Sequence, residues 1–573
     1  MNEPGQPLPA QAEAAPRPSR GIARFLYCQN PFYLLSVTFV LHGTGIWYQA
    51  NAGTHSTWIL IGIITAYILM MAGAGFAIVR FGRVWDDARS ILLILILLFL
   101  ELAMTADDVL VDNRLYDTGR VMLLTAWLVA AGVSEFLLIS LGIRMRALYR
   151  IPFHLMLAIL LLYPLAIVRG AYPHDQAATI WSIFLFSPVA SLALLTLVPA
   201  IRRGADYVSE NGTPWKWPLY PMSLFVVVGT AMVFRSYALS LSYDPVLDVS
   251  WTAALDMASR FGGIFVVPFL LALSVLCLEG SRVTDGAWLR RIGLLLPFLA
   301  LYVSTPDMSQ PTLYLGFVEM MTGQYASPVW FTAAASVLIL GHATIQQTRN
   351  AELPLSLMLL VLGFVGPTTL DITQLAPHNL IPLAAASAIQ IWAGWKRDSA
   401  AKLFAGLLCG VLLTRTLLPA DWHWFLRDII TWHLATATAL VVGIAMKSGL
   451  AANLRVIGAT MLVMSCAGSP FANWMVPLEL PELLLGLHMV AVALASLALI
   501  GCHIPLLRWT ATINVLATLS AGIGKGVLLI LRLPGGQGIV WALGGLAWFT
   551  LAALISARKA GLSWRSRNRS ESG

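Results

Sequence analysis

The sequence predicts an all-α, polytopic integral membrane protein. Its 573 residues are 58% hydrophobic and only 11% charged, whereas about a quarter of the residues are charged in soluble globular domains. The mean hydropathy of +0.77 agrees with this composition. Apolar segments also recur along the chain at the length of about 20 residues that a helix needs to cross a bilayer. We therefore expect one bundle of transmembrane helices joined by short connections.

Taken in order, the apolar segments predict about eighteen transmembrane helices, or as few as sixteen if the weakest are removed. The weakest segments are 289–304, which is short, 353–371, which contains Gly363, Gly366 and Pro367, and 509–531, which contains Lys525. The predicted helices are 32–50, 57–79, 90–106, 120–143, 152–169, 179–201, 218–241, 261–279, 289–304, 326–347, 353–371, 379–395, 402–418, 429–447, 450–467, 482–502, 509–531 and 538–557.

The two ends of the chain differ from this apolar region. Residues 1–30 begin with a stretch rich in Pro, Ala, Gln and Glu, which predicts a disordered tail. No short apolar core with a cleavage site precedes the first long helix, so we expect that helix to be an uncleaved anchor. Residues 31–557 form the predicted membrane domain, and residues 558–573 form a basic tail.

The charged residues predict the topology. When the N-terminus is cytoplasmic, 27 of the 36 lysines and arginines fall in the inner segments and 16 of the 28 acidic residues fall in the outer ones. Basic residues are retained on the cytoplasmic side of membrane proteins. An even number of helices with both termini in the cytoplasm satisfies this rule, and the tight loops suggest a bacterial inner membrane.

Several classes of function are excluded by composition and motifs. The sequence pI is about 9.3, but the basic residues are dispersed among apolar segments, so no nucleic-acid partner is expected. The cysteines are five in number and include no CxxC pair, so nothing in the sequence supports a disulfide framework or a zinc site. No phosphate-binding loop of the GxxxxGK[ST] kind is present. We expect no cofactor and no metal.

The densest polar stretch outside the tails runs from Arg415 to His433, and the topology places it on the outer side. Asp421 and His423 lie in its loop, next to Trp422. The tryptophans are explained equally well by a sugar-binding surface or by the aromatic belt at a membrane interface.

Ionisable side chains within predicted helices are functional candidates because burying a charge in a membrane costs several kcal/mol unless it is paired. Glu135 lies about two turns from the inner end of the fourth helix, and His488 lies in the outer half of the sixteenth. Either could bind a coupling proton, or could only hydrogen-bond a neighbouring helix.

A group of basic residues lies near the outer ends of helices, against the general inward bias. These side chains either extend to lipid headgroups or form a cationic rim that receives a phosphate or carboxylate. They are Arg169, Arg235, Arg260, Arg415, Lys525 and Arg532.

Glycine and proline clusters predict breaks in three helices. They are Gly262–Gly263 with Pro268, Gly363 to Pro367, and Gly522 to Gly526. Unwound backbone at membrane depth is tolerated only where protein or a water-filled cavity satisfies it. Such points line solute sites in transporters, although ordinary kinks have the same sequence signature.

These features favour a secondary transporter for a small polar or anionic solute in the bilayer. Glu135 and His488 are its candidate proton-coupling residues, and its candidate substrate-binding residues are Arg415, Asp371, Asp307, Lys525 and Trp422. The alternative is an outer-face enzyme, a glycosyl- or other group transferase acting on a lipid-linked substrate, with Asp421, His423 or Asp107 as its catalytic base. A non-catalytic membrane assembly partner is the third interpretation.

Overall fold

The computed structural model describes residues 32–50, 54–111, 116–167, 176–242, 263–305, 312–369, 379–419, 424–475 and isolated positions between 516 and 549. Within this part of the chain the secondary structure is entirely helical. The prediction of an all-α fold is therefore confirmed for the described residues.

The α-helices, in chain order, are α1 Phe32–Ala50, α2 Thr54–Gly82, α3 Trp85–Val111, α4 Tyr116–Ser140, α5 Ala147–Leu162, α6 Gln176–Phe184, α7 Phe186–Leu195, α8 Val198–Arg203, α9 Leu219–Ser242, α10 Val267–Thr284, α11 Ala287–Val303, α12 Thr312–Gln324, α13 Pro328–Ile345, α14 Glu352–Phe364, α15 Leu380–Lys396, α16 Ala400–Leu417, α17 Trp424–Ala445 and α18 Gly449–Met475. Short 3-10 turns at Tyr163–Ala166, Ala205–Val208 and Gly263–Val266 adjoin α5, α8 and α10.

Ten helical segments of the described chain are long and apolar enough to cross a membrane, and three shorter helices are also apolar. The protein is therefore a multi-pass membrane protein. The full count of eighteen and the positions of the termini stay predictions, because the last predicted helices lie outside the continuously described ranges. Below, the side carrying residues 80–89, 144–150 and 202–216 is called inner, as the charge distribution predicts.

The sixth predicted helix, 179–201, forms as three consecutive pieces, α6, α7 and α8. Proline has no N–H with which to donate to the carbonyl four residues earlier. Pro188 and Pro199 remove the bonds that Phe184 and Leu195 would accept, and these are the last residues of α6 and α7. The pieces still form a single candidate span of 27 residues, Ala177–Arg203.

The predicted break at Gly363 to Pro367 is confirmed. Helix α14 ends at Phe364, and Val365 is extended with φ −93° and ψ 113°. The freed backbone groups find partners elsewhere: the Asn379 N–H donates to the Gly363 carbonyl at 3.1 Å, and the Ser327 N–H donates to the Pro367 carbonyl at 2.6 Å. Neighbouring backbone therefore satisfies this break.

Helix α12 lies between the predicted helices 289–304 and 326–347, where the sequence predicts only a connection. Tyr314, Phe317 and Val318 are buried, and they share one face of α12 because residues three and four apart are neighbours on a helix. Phe317 stacks on Phe184 of α6 with ring centroids 3.9 Å apart. A 20-residue window misses this helix because it is only 13 residues long.

The chain forms two compact units, Met1–Pro382 and Leu383–Gly573. In the first unit α2, α3 and α4 pack in sequence, α9 packs on α3, and α10 pairs with α11. In the second unit α17 packs against both α16 and α18, around a core that includes Leu403, Val442 and Leu454. The prediction that the whole chain forms one bundle stays a prediction.

Small residues set the closest helix approaches. A Cβ added at Gly119 of α4 would lie 2.6 Å from the Leu110 Cα of α3, which is closer than real Cβ atoms approach. Gly119→Ala should therefore destabilise the protein by about 1–3 kcal/mol, because the backbones must move apart.

Gly132→Ala is the matched control for this change. Gly132 lies on the same helix with no heavy atom within 4 Å of the added Cβ, and in a helix alanine is favoured over glycine by about 0.5–1 kcal/mol. Equilibrium unfolding of both variants in mixed detergent micelles checks the difference. Equal stabilities would contradict the close approach of α3 and α4.

Candidate functional site

Four helices of the first unit, α3, α4, α5 and α9, form a group that has charged side chains at its outer end and at its inner end. Helix α3 packs against α4, α5 and α9, and α5 packs against α4 and α9. Their shared core includes Phe99, Met122, Met156 and Met232, each at most 2% exposed. This dry core separates the outer charges of the group from the inner ones.

At the outer end, Asp107 of α3 is paired with Arg235 of α9. Arg235 Nη2 donates to Asp107 Oδ1 at 2.9 Å, and Nη1 donates to Oδ2. Both side chains are 0% exposed. Two parallel N–H···O bonds between a guanidinium and a carboxylate form the strong, bidentate version of this contact.

A third helix, α5, is hydrogen-bonded to this pair. Arg235 Nε donates to the Leu160 carbonyl of α5 at 3.0 Å. Pro164, four residues later, has no N–H to offer this carbonyl, so the arginine satisfies an acceptor that the helix leaves without its usual partner. The Asp107–Arg235 pair thus ties the outer ends of α3, α5 and α9 together.

This geometry corrects one expectation about the outer basic residues. A fully buried Arg235 neither extends to lipid headgroups nor belongs to an open cationic rim. Nearness to a helix end could not show this, because the partner lies 128 residues away in the sequence. Asp107 has both oxygens engaged by Arg235, so a substrate can reach it only after the pair separates.

At the inner end, Glu135 of α4 faces two basic residues of α5. Arg150 Nε donates to Glu135 Oε1 at 2.9 Å, and Nη2 donates to Oε2. His154 Nε2 lies 2.5 Å from Glu135 Oε1. These side chains are partly exposed: 27% for Glu135, 48% for Arg150 and 30% for His154.

Two cavities open at the same inner ends. The first, of about 80 Å³, lies between α3, α4, α5 and α9 and has Arg89 in its lining. The second, of about 230 Å³, is lined by Arg144 and Arg150. Leu138, Ile143 and Met145 line both. Among the described residues no carboxylate lines either cavity, although Arg150 is paired with Glu135 just outside the second.

A further ion-pair cluster joins α8, α10 and α13 near their inner ends. Glu279 accepts two bonds of 2.9 Å from Arg202 and one of 2.9 Å from Arg282. Arg282 also donates to Thr348 Oγ1 at 3.2 Å. The carboxylate is 5% exposed and fully engaged, so this cluster is suited to fastening helices.

A third cavity is an apolar groove of about 500 Å³ between α7, α9 and α10. Val226 and Leu273 are exposed in it, 64% and 44% respectively. None of its lining side chains is charged at neutral pH.

The second unit contains part of the Arg415 to His433 stretch. Arg415 Nη2 donates to Asp428 Oδ1 at 2.7 Å, with the two side chains 49% and 47% exposed. Trp432 Nε1 donates to Ser465 Oγ of α18 at 2.8 Å. Arg415 is therefore partnered by an acid of its own stretch.

Most of the other predicted site residues lie outside the described part of the chain. They are Asp307, Asp371, Asp421, Trp422, His423, His488 and Lys525. Their roles stay predictions. Asp107 and Glu135 are described but lie at opposite ends of the same helix group.

Sequence reasoning missed Arg150 and His154 as partners of Glu135. The available signal was their spacing of four residues, which places both on one face of a helix. That face belongs to the helix that directly follows the one carrying Glu135. An acidic residue in one helix and two basic residues at this spacing in the next predict such a cluster.

The apolar helices define the chain as a multi-pass membrane protein, and ion pairs join several of its described helices. No protein-family model matches the chain, and no curated protein or solved structure matches it significantly.

Proposed function

We propose that this membrane protein is a secondary transporter that moves a small anionic solute together with a proton. One observation carries the proposal: the ion pairs at the two ends of one helix group differ in access. The outer pair is 0% exposed, whereas the inner cluster is 27–48% exposed and adjoins two cavities.

This asymmetry suits alternating access, in which a transporter closes one side of its site while the other is open. The Asp107–Arg235 pair with the Leu160 carbonyl supplies an outer closure that joins three helices. The cavities at the inner ends supply the open side. The arrangement corresponds to an inward-facing transporter.

The proposed solute is an anion because the charged side chains lining the two cavities are Arg89, Arg144 and Arg150. Guanidinium groups bind carboxylate and phosphate oxygens in a fixed, bidentate geometry. An anion that enters these cavities would exchange its hydrating water molecules for guanidinium N–H donors.

Glu135 provides the proposed coupling between the proton and the anion. Arg150 both pairs with Glu135 and lines the second cavity. When Glu135 takes up a proton its attraction for Arg150 falls, so the guanidinium becomes free to bind the solute. His154, hydrogen-bonded to the same carboxylate, is placed to exchange that proton with water.

The remaining predicted roles belong to the outer side of the protein in the cell inner membrane. Asp307, Asp371, Arg415, Trp422 and Lys525 remain proposed solute-recruiting residues, and His488 remains a second proposed proton site. No observation on the described residues favours the alternative group transferase, whose candidate base Asp107 is held by Arg235.

The test is proton movement in sealed proteoliposomes with a pH-sensitive dye inside. Inorganic phosphate, sulfate, acetate, lactate, succinate and glutamate are each added outside. We expect at least one of these anions to acidify the interior only when the protein is present. Arg150→Gln should slow this response by about tenfold or more, because a charge-assisted hydrogen bond contributes about 1.5–3 kcal/mol.

Arg349→Gln is the matched control, since Arg349 is an exposed residue between α13 and α14 that lines neither cavity. It should change the rate by less than about twofold, as expected for an exposed charge. If no anion acidifies vesicles that a protonophore shows to be sealed, the proposal is overturned.

A further inference from the structure

The first inner cavity combines an apolar body with buried polar groups that lack partners. Eleven of its sixteen lining residues are aliphatic or aromatic hydrocarbon or thioether side chains, among them Leu95, Ile96 and Phe99. The other five are Arg89, Ser134, Trp215, Tyr220 and Ser223. A ligand for this cavity needs an apolar part and a polar part.

Two buried donors indicate what the polar part is. The Trp215 Nε1 and the Tyr220 hydroxyl are buried and have no hydrogen-bond partner among the described residues, and Tyr220 is only 7% exposed. Burying such groups without partners is unfavourable, so a ligand that pairs with them is favoured. Indole N–H is a donor only, so a ligand atom facing Trp215 must be an acceptor.

The charge of the lining residues also indicates which kind of acceptor group the ligand carries. Arg89, half-buried at the start of α3, lines the same cavity, and no described acidic side chain does. A guanidinium, an indole N–H and a phenol together offer donors to a carboxylate, whose two oxygens accept several bonds. A neutral acceptor would leave Arg89 without a counter-charge.

The volume limits the apolar part. An apolar protein cavity of about 150 Å³ holds benzene, and this cavity measures about 80 Å³. It therefore fits a chain of roughly two to four carbons rather than an aromatic ring. The hydrocarbon side chains of α3, α4 and α5 would surround that chain.

We propose that this cavity binds a short-chain aliphatic monocarboxylate, with its carboxylate at Arg89, Trp215 and Tyr220 and its alkyl chain against Leu95, Ile96 and Phe99. The inference rests on the proposed function only where it makes this ligand the transported solute. Binding itself does not require transport.

The experiment measures equilibrium binding of radiolabelled butyrate to the purified full chain in detergent. Unlabelled acetate, propionate, benzoate and palmitate serve as competitors. We expect acetate and propionate to compete and benzoate to compete at least about tenfold more weakly, because its ring exceeds the cavity. Palmitate tests whether the bound carboxylate belongs to a free short-chain acid or to a lipid. Only a site for lipids would bind its long chain as tightly as butyrate.

Tyr220→Phe is the informative variant because it removes only the hydroxyl. It should weaken butyrate binding by about tenfold, while the thermal stability of the ligand-free protein stays equal or rises, since a buried group without a partner is lost. A purely structural tyrosine would not give this combination. Arg89→Gln should weaken binding by about tenfold or more.

Tyr302→Phe and Arg349→Gln are the controls, because both residues are exposed and neither lines the cavity. They should bind butyrate like the wild type.

Absence of butyrate binding by the wild type, unchanged binding by Tyr220→Phe and Arg89→Gln, or palmitate binding as tight as butyrate would each overturn the inference. Binding without proton-coupled uptake would overturn the proposed function alone, and anion-driven proton uptake without carboxylate binding would overturn only this inference.

Discussion

Asp107→Ala and Arg235→Ala should each destabilise the protein by about 3–5 kcal/mol, the cost of leaving one member of a buried ion pair unpaired. Both side chains are 0% exposed, so no water reaches the remaining charge. In the Arg235 variant the Leu160 carbonyl also loses the donor that reaches it across the helix interface. Equilibrium unfolding in mixed detergent micelles measures the change.

Two further variants decide whether the loss comes from the unpaired charge. The double variant Asp107→Leu, Arg235→Met should lose clearly less stability than the two single alanine variants combined. Replacing both members of a buried ion pair by apolar residues is often neutral. Asp428→Asn is the exposed control and should cost at most about 1 kcal/mol, since its pair with Arg415 is half-exposed. Single variants as stable as the wild type would contradict the buried pair.

Glu135→Gln should reduce anion-driven proton uptake by at least about tenfold. Glutamine keeps the shape and hydrogen-bonding capacity of the side chain but has no proton to exchange near neutral pH. The Glu135–Arg150 pair is partly exposed, so its loss should lower the stability by no more than about 1 kcal/mol. The expected result is therefore an inactive protein that is still folded.

The measurement combines proteoliposome proton flux with thermal denaturation of the same preparation. Glu319→Gln is the matched control, because Glu319 is exposed on α12 and lines none of the inner cavities. It should retain the wild-type flux. Full proton coupling in Glu135→Gln would remove Glu135 from the mechanism and leave His488 as the proton site to test.

The apolar pattern allowed most described helices to be located to within a few residues, because the bilayer requires a minimum apolar length. The predicted segment 218–241 corresponds to α9, Leu219–Ser242. Helix α12 is different, since it is too short to cross and is stabilised by Tyr314 and Phe317 packing on α6. No window sized for a membrane finds such a helix.

The ionisable candidate residues were also only partly predictable from the sequence. Glu135 was identifiable because a carboxylate inside an apolar helix is costly, yet its partners Arg150 and His154 required the packing of α4 on α5. Trp215 and Tyr220 gave no signal at all, because a tryptophan and a tyrosine near a membrane boundary are ordinary. Only their burial without partners singles them out.

The sequence by itself determined the class of protein, its helical fold and the break at Gly363 to Pro367, because these depend on local properties: apolar length, missing N–H groups and charge along the chain. The tertiary structure alone decided which charges meet. Asp107 and Arg235 are 128 residues apart in the chain, and their contact depends on how α3, α5 and α9 pack. The difference between a dry outer pair and an accessible inner cluster, on which the proposed function depends, arises from that packing.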